Sequence, residues 1–285
     1  GGPRGLTTQT LCWLNGEILP VEEARIDPLD RGFLFGDALY DVVRVVERSP
    51  LHLEAHLDRL RGGLESIDID PPANLDQSCR QLLSEGQLET GYLYLQVSRG
   101  AGPRSHQPPA DIEPTVLILA VEHAFSEPAA RAMRAISRRD DRWKHRDIKT
   151  TSLLGTVLGK LQMRDARVDE VLFVGPQAEL REGGSTNLFV RKGDVLQTHP
   201  ADHRILEGVT RGILLQLAEQ LGLSYCETPP RLHELREWQE AFLCGTLTGV
   251  QPLVELDGEA IAGGVVGMWT KLLATELERT DRRDL

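Results

Sequence analysis

The chain has 285 residues, and 32 Lys+Arg against 43 Asp+Glu leave it a formal net charge of −11, which argues against a broadly basic, nucleic-acid-coating surface. With 40% apolar and 26% charged residues it has the balance of a folded globular protein rather than a disordered one. No apolar run approaches the roughly 18 residues of a membrane span, and at about 100 to 200 residues per domain the length suggests two domains.

In chain order, Gly1-Gly2-Pro3-Arg4-Gly5 lacks the charged-then-apolar layout of a signal peptide, so residues 1–10 are expected to form a flexible arm and the protein to reside in the cytoplasm. Leu11–Leu19 alternates around Asn15-Gly16, a hairpin signal, and Ala38–Val46 is β-branched and apolar before a turn at Ser49-Pro50. From Leu53 to Ser66 apolar residues fall at 53, 57, 60 and 64, a helical period that sets His56 and Arg59 on neighbouring positions of one surface. Gln77–Leu88 repeats the pattern. Tyr92–Val97 and Thr115–Val121 read as strands flanking a charged, turn-rich loop, Arg99-Gly-Ala-Gly-Pro-Arg-Ser-His-Gln-Pro-Pro109.

The apolar pattern lapses around His123–Pro128, so a smaller N-terminal domain over residues 11–122, a linker over 123–129 and a larger domain over 130–285 are expected. Beyond the linker Ser152–Arg167 looks helical, Val171–Val174, Asn187–Val190, Val195–His199 and Glu240–Cys244 look extended, Val209–Leu221 is an amphipathic helix opening after Gly208, and Val265–Glu278 is a closing helix.

The four cysteines, Cys12, Cys79, Cys226 and Cys244, lie far apart without a C-x-x-C pair, which fits reduced thiols and indicates neither a disulfide scaffold nor a cysteine zinc site. His52/His56 and His199/His203 have helical metal-ligand spacing, but Pro200 interrupts the second pair and neither has a third ligand nearby, so no metal is expected. Phosphate-loop, dinucleotide-turn and nucleophile-elbow motifs are missing from the sequence. Of the 32 basic residues only five are lysines: Lys144, Lys149, Lys160, Lys192 and Lys271. Where chemistry needs a primary amine that forms a Schiff base, Arg cannot substitute, so these five are a short candidate set.

Five segments occur in order: Asp30-Arg-Gly-Phe-Leu-Phe-Gly-Asp-Ala-Leu-Tyr-Asp41, Glu54-Ala-His-Leu-Asp-Arg-Leu60, Asp147-Ile-Lys149, Glu182-Gly-Gly-Ser-Thr-Asn187 and Leu206-Glu-Gly-Val-Thr-Arg211. Together they resemble the fold-type IV pyridoxal-phosphate enzymes, the group containing branched-chain and D-amino-acid aminotransferases and aminodeoxychorismate lyase, from about Leu11 to about Glu278. The resemblance implies an α/β fold of two domains, smaller then larger, with pyridoxal 5'-phosphate in the cleft between them. It implies that Lys149 forms the Schiff base with the cofactor and shuttles protons, and that Glu182 pairs with the pyridine nitrogen. Arg59, the backbone amides of Val209 and Thr210, and Thr246 would take the phosphate.

The loop carrying Arg104 and His106 is similar to the one by which D-amino-acid aminotransferases hold the substrate α-carboxylate, with a partner subunit supplying both residues; Tyr40 matches a tyrosine that adds its hydroxyl. The resemblance therefore implies a homodimer that exchanges amino groups between D-amino acids and 2-oxo acids, ahead of the branched-chain, other class IV and lyase alternatives and of a non-catalytic cofactor-binding protein. Departures from the family pattern are Ala38 for Gly, Asp41 for Glu, Gly184 for Ser and Gly245 for Ser.

Overall fold

The computed structural model describes residues 10–285, so the arm expected over residues 1–10 lies, Thr10 apart, outside the described residues. The chain divides into two compact units. The first runs to Ala124 and takes in Lys149–Ser152 and Leu285, while the second comprises Phe125–Ile148 and Leu153–Asp284. The return of Lys149–Ser152 to the first unit has no counterpart in the composition of the chain.

The first unit contains β1 (Leu11–Leu14), β2 (Glu17–Pro20), a short helix α1 (Arg31–Phe35), β3 (Ala38–Val46), β4 (Ser49–Pro50), helices α2 (Leu53–Ser66) and α3 (Leu75–Gly86), β5 (Gly91–Ser98) and β6 (Thr115–Glu122). Its six strands form an antiparallel sheet in the order β2-β1-β6-β5-β3-β4. The two-residue period decides the faces. On β3, Leu39, Asp41, Val43 and Val45 are buried while Tyr40 and Val42 are half-buried, and on β5 Leu93, Leu95 and Val97 are buried while Tyr94 and Gln96 are not. Helix α2 buries Leu53, Leu57, Leu60 and Leu64, each such side chain contributing roughly 1.5–3 kcal/mol. His56 lies on the same buried stripe.

The second unit contains β7 (Met133–Arg139), α4 (Leu154–Ala166), β8 (Glu170–Val174), β9 (Leu180–Gly183), β10 (Asn187–Lys192), β11 (Val195–Thr198), α5 (Val209–Gln220), β12 (Ser224–Cys226), β13 (Glu240–Gly245), β14 (Gly249–Leu256), β15 (Glu259–Ala260) and α6 (Met268–Arg283). Strands follow the order β12-β11-β10-β13-β14-β7-β8-β9, and Glu182 of β9 pairs back to Asn187 of β10, so six strands form a closed circuit. Leu188 and Val190 of β10, with Ala241 and Leu243 of β13, enter one core. Phe189 and Phe242 point the other way into the core beneath α5 and α6, stacked at 5.0 Å.

Some elements differ from the expectations. The helix expected from Ser152 starts at Leu154, because the Thr150, Thr151 and Ser152 hydroxyls donate to the Gly36 and Ala38 carbonyls instead of entering a helix. The closing helix runs Met268–Arg283 rather than Val265–Glu278: the buried Glu240 carboxylate accepts from the Trp269 and Thr270 amides and fixes its start. Helix α1 and strands β7, β9, β12, β14 and β15 were not expected, and Ser49-Pro50, expected as a turn, forms β4 by pairing back onto Val45 and Val46 of β3.

Candidate functional site

In the first unit, Lys149 follows no regular element, yet its backbone is fixed. Its carbonyl accepts from Tyr40 N at 3.0 Å, Thr150 bridges to Leu39, and Thr151 N donates to Ala38 O at 3.0 Å. This pairing along the start of β3 sets Lys149 Nζ 4.3 Å from the centroid of the Tyr40 ring. Tyr40 in turn stacks on Tyr94 at 5.5 Å, and the Tyr94 hydroxyl donates to Gln96 Oε1 at 2.7 Å. Burial, with Tyr40 adding to it, pushes the Tyr94 hydroxyl up to about 12, so it stays a neutral donor.

The other lysines are placed differently. Lys160 pairs with Glu170 at 2.5 Å, Lys192 pairs with Glu234 and Glu237, and Lys144 and Lys271 are exposed. Lys149 alone among the five is half-buried against an aromatic face.

Asp41, next to Tyr40 on β3, meets His56 and Arg59 of α2. The Asp41 side chain is fully buried and accepts Arg59 Nε at 2.8 Å, Arg59 Nη2 at 2.7 Å and His56 Nδ1 at 2.8 Å. Burial alone would raise its carboxyl, but the Arg59 guanidinium and the His56 hydrogen bond hold it well below the usual carboxylate range. Burial keeps His56 below its ordinary value despite Asp41. Arg59 is thus oriented by the aspartate that departs from the family's glutamate, across 18 positions of sequence.

The second unit gathers three sequence-distant segments. Glu182, 6% exposed, accepts from Arg142 Nη1 at 2.9 Å and from Leu206 N at 2.9 Å. Burial raises its carboxyl, and Arg142 and the Leu206 amide oppose that rise. Leu206 O accepts from Asn187 Nδ2 at 3.0 Å, and a Cβ at Gly208 would come within 2.2 Å of Asn187 Oδ1, so a larger residue there would displace this asparagine. Gly208 opens α5, whose N-terminus, at Val209 and Thr210, has no side-chain cap. Thr246 lies in the turn joining β13 and β14, next to Gly245, whose position is 3.2 Å from Ser185 O when a Cβ is built there. The uncapped amides and the dipole of this 12-residue helix are suited to receiving an anionic group. Lys149 thus belongs to the first unit, and Glu182 and the start of α5 to the second.

A buried charge network supports Glu182. Arg142 stacks 3.9 Å over Phe173 and reaches Asp140 at 3.0 Å; the Asp140 side chain, fully buried, also pairs with Arg146 at 2.9 Å and Arg181 at 3.0 Å. Burial would raise the Asp140 carboxyl, and these guanidiniums hold it down. Glu170, 1% exposed, organises the 183–187 turn by accepting from Gly184 N, Ser185 Oγ, Thr186 Oγ1 and Lys160.

Arg104 and His106 are exposed in the loop after β5 and both touch Phe35 of α1. Sequence reading missed Arg142, Asp140, Glu170, Tyr94 and the Arg31/Phe35 pair. Only Arg31 and Phe35 carried a signal, as members of the Asp30–Asp41 segment. Among the described residues no His/Cys/Asp/Glu group could hold a metal ion, and no helix is long and apolar enough to cross a membrane.

This is the fold of an amino-group transferase. The class IV aminotransferase family model matches residues 38–256, and the chain belongs to that family. The chain is 34% identical over 270 residues to the D-alanine aminotransferase of Bacillus licheniformis, covering 93% of this chain and 95% of that protein. Among solved structures, the branched-chain amino acid aminotransferase of Escherichia coli matches with TM-score 0.87 at 22% identity, covering 96% of this chain and 95% of that one. The branched-chain aminotransferase of Thermoproteus uzoniensis, solved with norvaline, matches at TM-score 0.85 and 22% identity, covering 97% and 96%. These structures share the fold. The protein is an aminotransferase of the pyridoxal-phosphate-dependent class IV family.

Proposed function

We propose that the protein exchanges amino groups between D-amino acids and 2-oxo acids, D-alanine and 2-oxoglutarate among them. The observation that carries this reading is Lys149, an amine fixed through its backbone to β3 and laid over Tyr40. When bound, pyridoxal phosphate supplies the carbonyl and the electron sink that make a substrate Cα proton removable. Lys149 Nζ holds and moves that proton. Glu182 presents negative charge to the pyridine nitrogen, and Arg142 keeps its carboxylate ionised and aimed. Arg59, the Val209 and Thr210 amides and the Thr246 hydroxyl take the phosphate, with Asp41 orienting the Arg59 fork.

The D-specific assignment draws on the Arg104-Ser105-His106 loop and on the sequence relatives named D-alanine aminotransferase. In this reading Arg104, His106 and the Tyr40 hydroxyl take the substrate α-carboxylate, and the first two complete the site of a neighbouring subunit. A homodimer is supported by the apolar face of α4, where Leu154 is 72% exposed, and Val157, Leu158 and Leu161 more than 40%. The four cysteines are unpaired, as in the reducing cytoplasm to which we assign the protein.

Half-reactions of the holoprotein with D- and L-alanine test the assignment. Loss of the cofactor's visible absorbance with the D form alone is expected. Reaction with L-leucine instead would replace this reading by the branched-chain one, and pyruvate release from aminodeoxychorismate by the lyase.

A further inference from the structure

The loop carrying Arg104 and His106 is moulded on α1. Asp30 bridges to Ala101, Arg31 N donates to Gly100 O at 2.9 Å, and Gly102 N donates to Leu29 O at 3.3 Å. Arg31, only 3% exposed, sends Nη1 to the Ser105 carbonyl at 2.6 Å and Nη2 to the His106 carbonyl at 3.2 Å. Its Nε goes to Asp37 at 2.8 Å, and Asp37 also accepts Arg99 Nε at 2.8 Å, at the first residue of the loop. The backbone beneath Arg104 and His106 is therefore held by a guanidinium that is itself fixed by an ion pair.

The side chains converge on one ring. The Phe35 centroid lies 4.8 Å from the Arg31 guanidinium and 5.5 Å from that of Arg104, and the His106 ring meets it edge-on at 5.7 Å and 81°. An aromatic face attracts guanidinium, and a ring edge-to-face contact limits imidazole rotation. This matters because an exposed arginine samples many rotamers. When only a fraction of them can receive a ligand, the apparent dissociation constant rises in inverse proportion to that fraction.

We propose that Phe35 is a positioning residue for the substrate carboxylate. Its ring holds Arg104 and His106 in the receiving geometry, while Arg31 fixes the loop backbone below them. The inference rests on the reading of Arg104 and His106 as the carboxylate pair, and it predicts an effect on binding with little on chemistry.

The test is steady-state kinetics of the holoenzymes of wild type, Phe35→Leu, Phe35→Tyr and Arg104→Ala, using 2-oxoglutarate and the alanine enantiomer that the wild type turns over. Phe35→Leu, which keeps an apolar side chain, should raise both KM values about three- to tenfold, hold kcat within about twofold and retain the visible cofactor absorbance. Phe35→Tyr, which keeps the ring, should stay near wild type. Unchanged KM in Phe35→Leu beside a raised KM in Arg104→Ala overturns the inference and leaves the carboxylate reading intact. Unchanged KM in Arg104→Ala overturns both. Loss of cofactor or a fall in kcat in Phe35→Leu, or a Tyr variant as impaired as the Leu one, assigns Phe35 a merely structural role and also overturns it.

Discussion

Replacing Arg142 by Met removes the cation beside a buried acid while leaving an apolar side chain over Phe173. In the wild type Arg142 donates to Glu182 Oε1 at 2.9 Å and to both Asp140 oxygens, at 3.0 and 3.1 Å. Asp140 keeps Arg146 and Arg181, but Glu182 keeps only the Leu206 amide. Breaking a buried pair by removing one partner costs about 3–5 kcal/mol. The buried carboxylate can escape that cost by taking a proton. Burial lifts the folded-state pKa of Glu182 above its unfolded value, so the unfolded chain releases this proton first as pH rises. The folded state then binds more protons and stability falls with rising pH. Without Arg142 the lift is larger, and the penalty should grow by about 1.4 kcal/mol per pH unit until it reaches its ceiling. Urea unfolding of cofactor-free wild type, Arg142→Met, Glu182→Gln and the double variant, from about pH 5 to about pH 8, measures this. The double variant should recover most of the loss at the higher pH. A penalty independent of pH, or a coupling energy below about 0.5 kcal/mol, contradicts a proton-linked pair.

Two other outcomes follow from the same geometry. The Asp41 carboxyl is held far below its unfolded value by Arg59 and His56, so the stability it contributes is present above the unfolded pKa and is lost as pH falls toward the folded one; Asp41→Asn should lower unfolding stability at neutral pH by about 3 kcal/mol and flatten the acid limb, and an acid limb as steep as wild type would contradict this. The Leu154→Asp/Leu158→Asp double variant should convert a dimer to a monomer by light scattering, and a wild type that is already monomeric would remove α4 from the interface.

How much the sequence revealed depends on how local each signal is. The α2 helix emerges at its observed limits because Leu53, Leu57, Leu60 and Leu64 repeat at helical spacing, and β1 and β2 emerge because Asn15-Gly16 marks their turn. Strand β14 was hidden: Gln251 and Pro252 break its apolar run, although Pro252 is accommodated opposite Phe242 in the ladder. Strand β7 is half arginine-bearing surface, with Met133 and Ala135 as its inward residues. Helix α1 has five residues, too few for any period, yet it organises the Arg104 loop.

Within the candidate site, Lys149 and Glu182 stand out in the sequence as members of short motifs. Their supports do not, because the partners are remote in sequence: Arg142 stands 40 residues from Glu182, and Arg181 41 from Asp140. Arg59 was expected to bear on phosphate. Its fork to Asp41 was not legible, because β3 turns Asp41 onto the buried face of the sheet together with Leu39 and Val43. Gly208, at the N-cap of α5, offers no side chain to the first amides of the helix.

Every step proposed for the reaction depends on Lys149 being the amine that carries pyridoxal phosphate. Borohydride reduction of the holoprotein followed by peptide mass spectrometry tests this directly, since reduction fixes the cofactor to whichever amine holds it. A phosphopyridoxyl adduct on the peptide containing Lys149 is expected, and an adduct on Lys144 or Lys160 with Lys149 unmodified would contradict the assignment.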